Sequence, residues 1–245
     1  MKILAYCCEW GGYASADEAC KRGIPLPAGM RMAEVRCVGQ LDPGALLEPL
    51  LYGVHGVLLA GCKRERCHYV SGNIMAQARV ELAQRLLALC NINPGRIRLV
   101  WLDVADGEGF ARESNEFMRA VASQGASVSD DALSLRAALL AAQAEKLRWL
   151  AGVGYNLQKT GNVFGRVLTS AEYSQALDEV TRDAFLRARV LLLLAQSPRT
   201  PREIAEAAKE DLGCVSRMLT ALEKEGKIRH HSELQGLPRF TALAG

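Results

Sequence analysis

No stretch of about 18 consecutive apolar residues occurs in the chain, so the sequence offers no membrane-spanning helix. The longest apolar segment, around Val190 to Ala195, is short and flanked by Arg187 and Arg189. The chain has no GxGxxG or Walker pattern to argue for a bound nucleotide, and the glycine pair in Trp10-Gly11-Gly12-Tyr13 is equally what a close backbone approach requires. It also has no convincing nucleophile, acid-base pair or substrate-pocket motif, which argues against catalysis. A formal charge of only +3 is far from the strongly basic balance of most nucleic-acid binders. The first residues are strand-like and lack a secretory signal's long apolar stretch and cleavage site, so a cytoplasmic location is expected.

What the chain does have is apolar content and cysteine. About half of its 245 residues are hydrophobic (49%), enough for a substantial core. Eight cysteines in a reducing compartment are a poor disulfide framework, and clustered ones read as metal ligands or redox centres. Cys7, Cys8, Cys37, Cys62 and Cys67 crowd the first third. Cys20, Cys90 and Cys214 lie in helix-like patterns and are expected to be small buried hydrophobes.

Up to about Gly125, short apolar runs alternate with helical periodicity, which predicts an α/β domain with a mostly parallel sheet and helices on both faces. Strands are expected at residues 3–6, 32–36, 54–60 and 97–102, and helices at 14–21, 43–51, 75–89 and 110–123. Asp42 and Pro43 form a good start for the second helix, because Asp42 can accept from orphan N–H groups and Pro43 needs no donor at N1. Three strands run into thiols. In a flavodoxin-like strand order, ligands sit at the carboxyl ends where the order reverses, so Cys7 or Cys8, Cys37 and Cys62 would reach one rim and a short loop would return Cys67 to it. Four single thiols gathered this way suit an iron-sulfur cluster better than the paired ligands of structural zinc. Rieske-type ligation by His68 is disfavoured because it needs two histidines and His55 lies at the other end of its strand.

Three blocks carry a more specific signal: YCCEWGGYASAD from Tyr6, VRCVGQLDP from Val35, and GC at Gly61-Cys62 continuing through CHYVSGN from Cys67. Together they closely resemble the delta subunit of methyl-viologen-reducing hydrogenase over about residues 1–125. The resemblance implies a flavodoxin-like domain holding a [2Fe-2S] cluster. It also implies a role passing electrons between a hydrogenase or other oxidoreductase module and a heterodisulfide-reductase-type flavoprotein. Such subunits usually carry a further Cys where this chain has Gly11, and often lack Cys at position 7 while keeping it at position 8. The implied ligands are therefore Cys8, Cys37, Cys62 and Cys67, with Cys7 as the alternative to Cys8. Strand alternation agrees that only one of the adjacent pair can face the others. The basic residue usual at Gln40 is missing here, and the loop after Cys62 is unusually basic: Lys63, Arg64 and Arg66.

Beyond residue 125 the pattern changes to a polar hinge at 127–131, a long helix at 132–150, a turn at 160–165 and a helix at 171–195. Residues 183–245 have the layout of a winged helix-turn-helix: helices at 183–196, 202–208 and 212–225, then a hairpin around Gly236. The expected organisation is an iron-sulfur domain at 1–125, a helical linker region at 126–182 and a winged-helix-like domain at 183–245. Its recognition-helix position carries nearly balanced charge, which favours docking to protein partners over nucleic acid. The expected function is a non-catalytic electron-transfer subunit. Two alternatives are a redox-sensing winged-helix transcription regulator and a zinc-binding structural subunit.

Overall fold

A computed structural model describes residues 1–125 and 131–243. The chain divides into two compact units, Met1–Thr181 and Arg182–Gly245. Of the expected hinge, residues 127–130 lie outside the described residues, while Asp131 caps the helix that follows by accepting from Ser134 N–H.

In the first unit, strands β1 (Ile3–Cys8), β2 (Met30–Val35), β3 (Gly56–Cys62) and β4 (Ile97–Leu102) form a parallel sheet in the order β2-β1-β3-β4. The order reverses between β1 and β3, so their carboxyl ends flank the crevice where open α/β sheets place ligands. β4 has the bounds expected from sequence. β1 and β3 run further, through Cys8 and Cys62, because the small apolar thiols continue the ladder: Cys7 pairs with Glu34 and Ala60, and Cys62 with Leu102.

Helices α1 (Ala14–Lys21), α2 (Pro43–Leu51), α3 (Gly72–Leu89) and α4 (Gly107–Ser123) connect or follow the strands. α1 and α2 keep their expected bounds, and Asp42 caps α2 by accepting from Gly44 N–H at 2.9 Å. Alternate residues of β1 and β3 (Ile3, Ala5, Cys7, Leu58, Ala60) pack with Phe110, Phe117 and Val121 of α4. Tyr6 points to the opposite face, where its hydroxyl donates to Ala45 O of α2. β3 is buried along its whole length, as expected of a central strand covered on both sides.

The helix expected at 132–150 is instead two: α5 (Ala132–Ala142) and α6 (Glu145–Lys159). Ala144 is extended between them (φ −62°, ψ 125°). A straight helix would carry the buried stripe of Ala138, Ala141 and Ala142 on to Glu145 and Lys146. The break rephases it, so that Leu147, Leu150, Ala151 and Gly154 face inward and both helices pack on α3. Cys20 departs from expectation as well: it is exposed, because the inner face of α1 is Ser15, Ala16 and Ala19 and the next position turns outward. Cys90 is buried as expected, donating to Ser134 O, and Cys214 is half-buried. No helix among the described residues is long and apolar enough to cross a membrane.

The boundary between the units falls inside α7 (Ser170–Gln196). The second unit adds α8 (Pro201–Ala208), α9 (Leu212–Lys224) and an antiparallel hairpin of β5 (Ile228–Leu234) and β6 (Leu237–Ala242), the element order expected from sequence. Gln235 and Gly236 both have positive φ (51° and 75°), the geometry of a two-residue hairpin turn. Leu186, Val190, Leu194, Ile204, Val215, Leu219, Leu222 and Ile228 form the core of this unit.

α8 begins with a capping box: Thr200 Oγ1 accepts from Glu203 N–H, and the Glu203 carboxylate accepts from Thr200 N–H at 2.7 Å. The Thr200 backbone N–H and hydroxyl hold the Glu203 carboxyl below its ordinary range. This contribution is present above the unfolded glutamate value and lost as pH falls through the depressed folded one. Thr200→Ala is expected to destabilise the second unit by about 1 kcal/mol, read from its denaturant midpoint near pH 7, with the difference from wild type shrinking in acid. An unchanged midpoint would remove the box as a determinant of this fold.

Candidate metal centre

The site lies at the carboxyl ends of β1 and β3. Cys8 and Cys62 are the last residues of their strands, and their sulfurs stand 3.4 Å apart. After Cys8 the chain turns sharply through Glu9–Tyr13, which aims the N–H groups of Gly11 and Gly12 at Cys8 Sγ, each at 3.3 Å. Cys37, two residues past β2, accepts at its sulfur from Gly39 N–H at 3.4 Å. Cys67 closes the loop that leaves β3 and lies beside Cys37: a β-carbon on Gly72 would collide with Cys37 Sγ and lie 3.4 Å from Cys67 Sγ. The four sulfurs of Cys8, Cys37, Cys62 and Cys67 thus come together as two neighbouring pairs. Among the described residues, no three His, Cys, Asp or Glu side chains converge closely enough to hold a single ion.

Cys7 is not part of this group. It faces the core between the sheet and α4, fully buried among Ile3, Ala5 and Phe110. Burial, followed by the neighbouring Cys8 charge, pushes its thiol up to about 12. Cys8 behaves in the opposite way. The hydrogen bond from Cys62, reinforced by the two glycine N–H groups, holds its thiol down to about 6. Cys62 is raised in turn, chiefly as the donor in that bond, and burial raises Cys37. The arrangement therefore favours one thiolate and one thiol in the Cys8–Cys62 pair.

Glycines and one arginine permit this convergence. A β-carbon at Gly12 would strike Ala60 O, one at Gly39 would strike Gly72 O, and one at Gly11 would lie 3.2 Å from Cys62 Sγ. Position 11 thus faces the site. Arg79 of α3 donates to the carbonyls of Gly39 and Leu41 and pins the turn after Cys37.

The loop after Cys62 is held by a residue that sequence reasoning missed. Asn73, only 2% exposed, donates to the carbonyls of Lys63 and Arg64 at 3.0 Å and of Cys62 at 3.4 Å, while its own Oδ1 accepts from Ile74 N–H. Its place at the end of the CHYVSGN block was the available signal, but no local spacing assigns it that role. Two of the three cations in the loop share one carboxylate. Lys63 and Arg66 pair with Asp103, whose carboxyl is held below its ordinary range chiefly by the Lys63 bond, and Arg64 donates to Gln77. His68 stacks on Trp10 with ring centroids 4.1 Å apart.

Over residues 3–125 the chain matches the family described as methyl-viologen-reducing hydrogenase, delta subunit. It is similar to an iron-sulfur subunit of the F420-non-reducing hydrogenase of Archaeoglobus profundus, with 35% identity over 115 residues that cover 47% of this chain and 84% of that one. The chain belongs to the methyl-viologen-reducing hydrogenase delta-subunit family. It is also 35% identical, over 117 residues, to one of the subunits of the ferredoxin/F(420)H(2)-dependent CoB-CoM heterodisulfide reductase of Methanosarcina acetivorans. That match covers 48% of this chain and 15% of the larger protein. The family match ends at residue 125, so α5 to α9 and the hairpin lie beyond it.

Gly72 provides the sharpest local test. Alanine there suits the first turn of α3, yet its methyl group would occupy the position of Cys37 Sγ. Gly72→Ala is expected to cost about 1–3 kcal/mol through overpacking and to speed alkylation of Cys37 in the reduced protein. Wild-type stability together with wild-type Cys37 reactivity would show that the site tolerates a side chain at this position.

Proposed function

We propose that this chain is an electron-transfer subunit in which Cys8, Cys37, Cys62 and Cys67 hold one [2Fe-2S] cluster. Its role in this reading is to relay electrons between a hydrogenase- or dehydrogenase-type module and a heterodisulfide-reductase-type flavoprotein in a cytoplasmic complex. The observation that carries the reading is the gathering of four thiols as two pairs at the β1/β3 crevice, with backbone N–H groups aimed at the Cys8 and Cys37 sulfurs. A two-iron cluster takes two thiolates on each iron, whereas a zinc ion needs four ligands around one point. Hydrogen bonds to sulfur stabilise thiolate charge and raise the potential of a bound cluster, so the donors present suit that ligand chemistry. When bound, such a cluster accepts and releases single electrons. The protein's part is to fix the thiolates, supply N–H donors and limit solvent: Cys8 and Cys62 are buried, and Cys37 and Cys67 half-buried. The names of related iron-sulfur and heterodisulfide reductase subunits support the assignment.

Within this reading, residues 1–125 form the cluster domain, 126–182 a helical region, and 183–245 a winged-helix-like module that docks the subunit to its partners. Docking is preferred to DNA binding because the exposed side of α9 carries Leu212, Ser216, Arg217, Thr220, Glu223 and Lys224, and with the N-cap Asp211 its two basic groups face two acidic ones. A DNA reader needs a Lys or Arg near each phosphate that it neutralises.

Protein prepared without oxygen is expected to bind about two irons and two sulfides per chain. Cys8→Ala should lose the visible spectrum and Cys7→Ala should keep it. Zinc without sulfide, four irons per chain, or a spectrum retained by Cys8→Ala would overturn the assignment.

Deleting residues 183–245 is expected to leave the spectrum unchanged and release the subunit from its complex, measured by co-purification. Assembly unaffected by the deletion would remove the docking role. Submicromolar binding to duplex DNA that changes with cluster redox state would make the regulator reading primary.

A further inference from the structure

The two loops that carry the ligand thiols are joined by aromatic rings. Trp10 lies in the turn after Cys8, beside Gly11, whose N–H donates to the Cys8 sulfur. His68 directly follows Cys67. The Trp10 and His68 rings stack at 4.1 Å with planes 17° apart, and Tyr69 closes edge-on against His68 at 5.0 Å. Trp10 and Tyr69 nevertheless remain 42% and 45% exposed, so these rings are not part of the hydrophobic core.

The need for such a contact is visible in the loop. From Cys67 onward its backbone bonds close on themselves, Val70 N–H to Cys67 O and Ser71 N–H to Tyr69 O. Val70 sits at φ 62°, a conformation that a β-branched residue adopts only at a cost. Asn73 holds the carbonyls of Cys62, Lys63 and Arg64 but does not reach past them to Cys67. Asp103 ties the loop to the end of β4 as far as Arg66, so the strained segment past Cys67 needs a further contact to stay in place. The ring stack is such a contact, and it falls on the residue next to the thiol.

We propose that Trp10 and His68 form a latch: their stack ties the turn after β1 to the Cys67 loop, holds Cys67 beside Cys37 and keeps it half-buried. Both are positioning residues, acting on the thiols through the loops that carry them. The role rests on the reading of the four thiols as cluster ligands, but part of its test does not depend on it.

The first measurement uses the full-length chain, reduced and free of metal, alkylated with iodoacetamide without oxygen and followed at each cysteine by mass spectrometry. Opening a stacked aromatic pair should raise the Cys67 rate about two- to tenfold in Trp10→Ala and in His68→Ala. Trp10→Phe, which keeps a stacking ring, should restore the wild-type rate. The double variant should be no faster than either single one, because both remove the same contact. Exposed Cys20 is the internal reference, and core Cys7 must stay unlabelled. Trp10→Leu and His68→Gln carry the same expectation should an alanine variant label Cys7. The second measurement is the loss of visible absorbance in air after reconstitution with iron and sulfide, expected to quicken by a similar factor in the same variants. Wild-type Cys67 labelling in both single variants, or effects that multiply in the double variant, would overturn the latch. If labelling responds as expected but the chain takes up no iron and sulfide, the cluster reading fails and the latch stands. Normal cluster uptake with unresponsive labelling has the opposite meaning.

Discussion

The constraint on which the rest of the molecule depends is the approach of two strand ends, which leaves the sulfurs of Cys8 and Cys62 3.4 Å apart. Adjacent parallel strands pair about 4.8 Å apart, so thiols at neighbouring strand ends can meet only where both strands end close together and nothing else fills the crevice. The pairing of Cys7 with Ala60 meets the first condition and leaves Cys62 one residue beyond the level of Cys8. Glycine meets the second: Gly11 and Gly12 let the turn after β1 fold over the end of β3, and Gly39 and Gly72 let the Cys37 loop press against the start of α3. Gly56, beneath Val121 and Phe117 at the other end of β3, admits the α4 core in the same way. Side chains at these points would push the ligand loops apart before any ligand chemistry came into play.

Electrostatics at the site follows from that geometry. The hydrogen bond between two buried thiols splits their proton affinities, lowering Cys8 and raising Cys62, and the Gly11 and Gly12 N–H groups act in the same direction on Cys8. The cations nearby are less available than the string Lys63-Arg64-Glu65-Arg66 suggests, since Asp103 engages two of them. Asp103 follows β4, and its backbone carbonyl accepts from Ser15 of α1, so the charge that restrains the loop is fixed to the sheet.

How much of this could be read in the sequence depended on range. β4, α1 and α2 kept their bounds because local signals define them: a β-rich run, Asp42-Pro43 at a helix start, and short periodic segments. The gathering of the thiols was legible as well, since strand ends are where α/β sheets bind; alternation said that only one of Cys7 and Cys8 could face the others, and the family resemblance pointed to Cys8. The strands that end in thiols run further at their carboxyl ends than their apolar runs suggest, because cysteine belongs to the ladder and does not merely follow it. The break at Ala144 was hidden by an Ala- and Leu-rich composition that suits one long helix. Cys20 was misplaced by a single step of helical phase. Asn73, Arg79 and the Trp10–His68 stack could not be read at all, because each joins segments that only the folded chain brings together.

The back-to-back placement of Cys7 and Cys8 has a consequence for how the centre can be assembled. A slip of β1 by one residue would deliver Cys7 to the crevice, but it would also turn Ile3 and Ala5 out of the α4 core and drive Tyr6 into it. Strand register and the thiol offered to the crevice are therefore one choice. Cys7 is no spare for Cys8: a chain that presents Cys8 at the crevice has already packed its core.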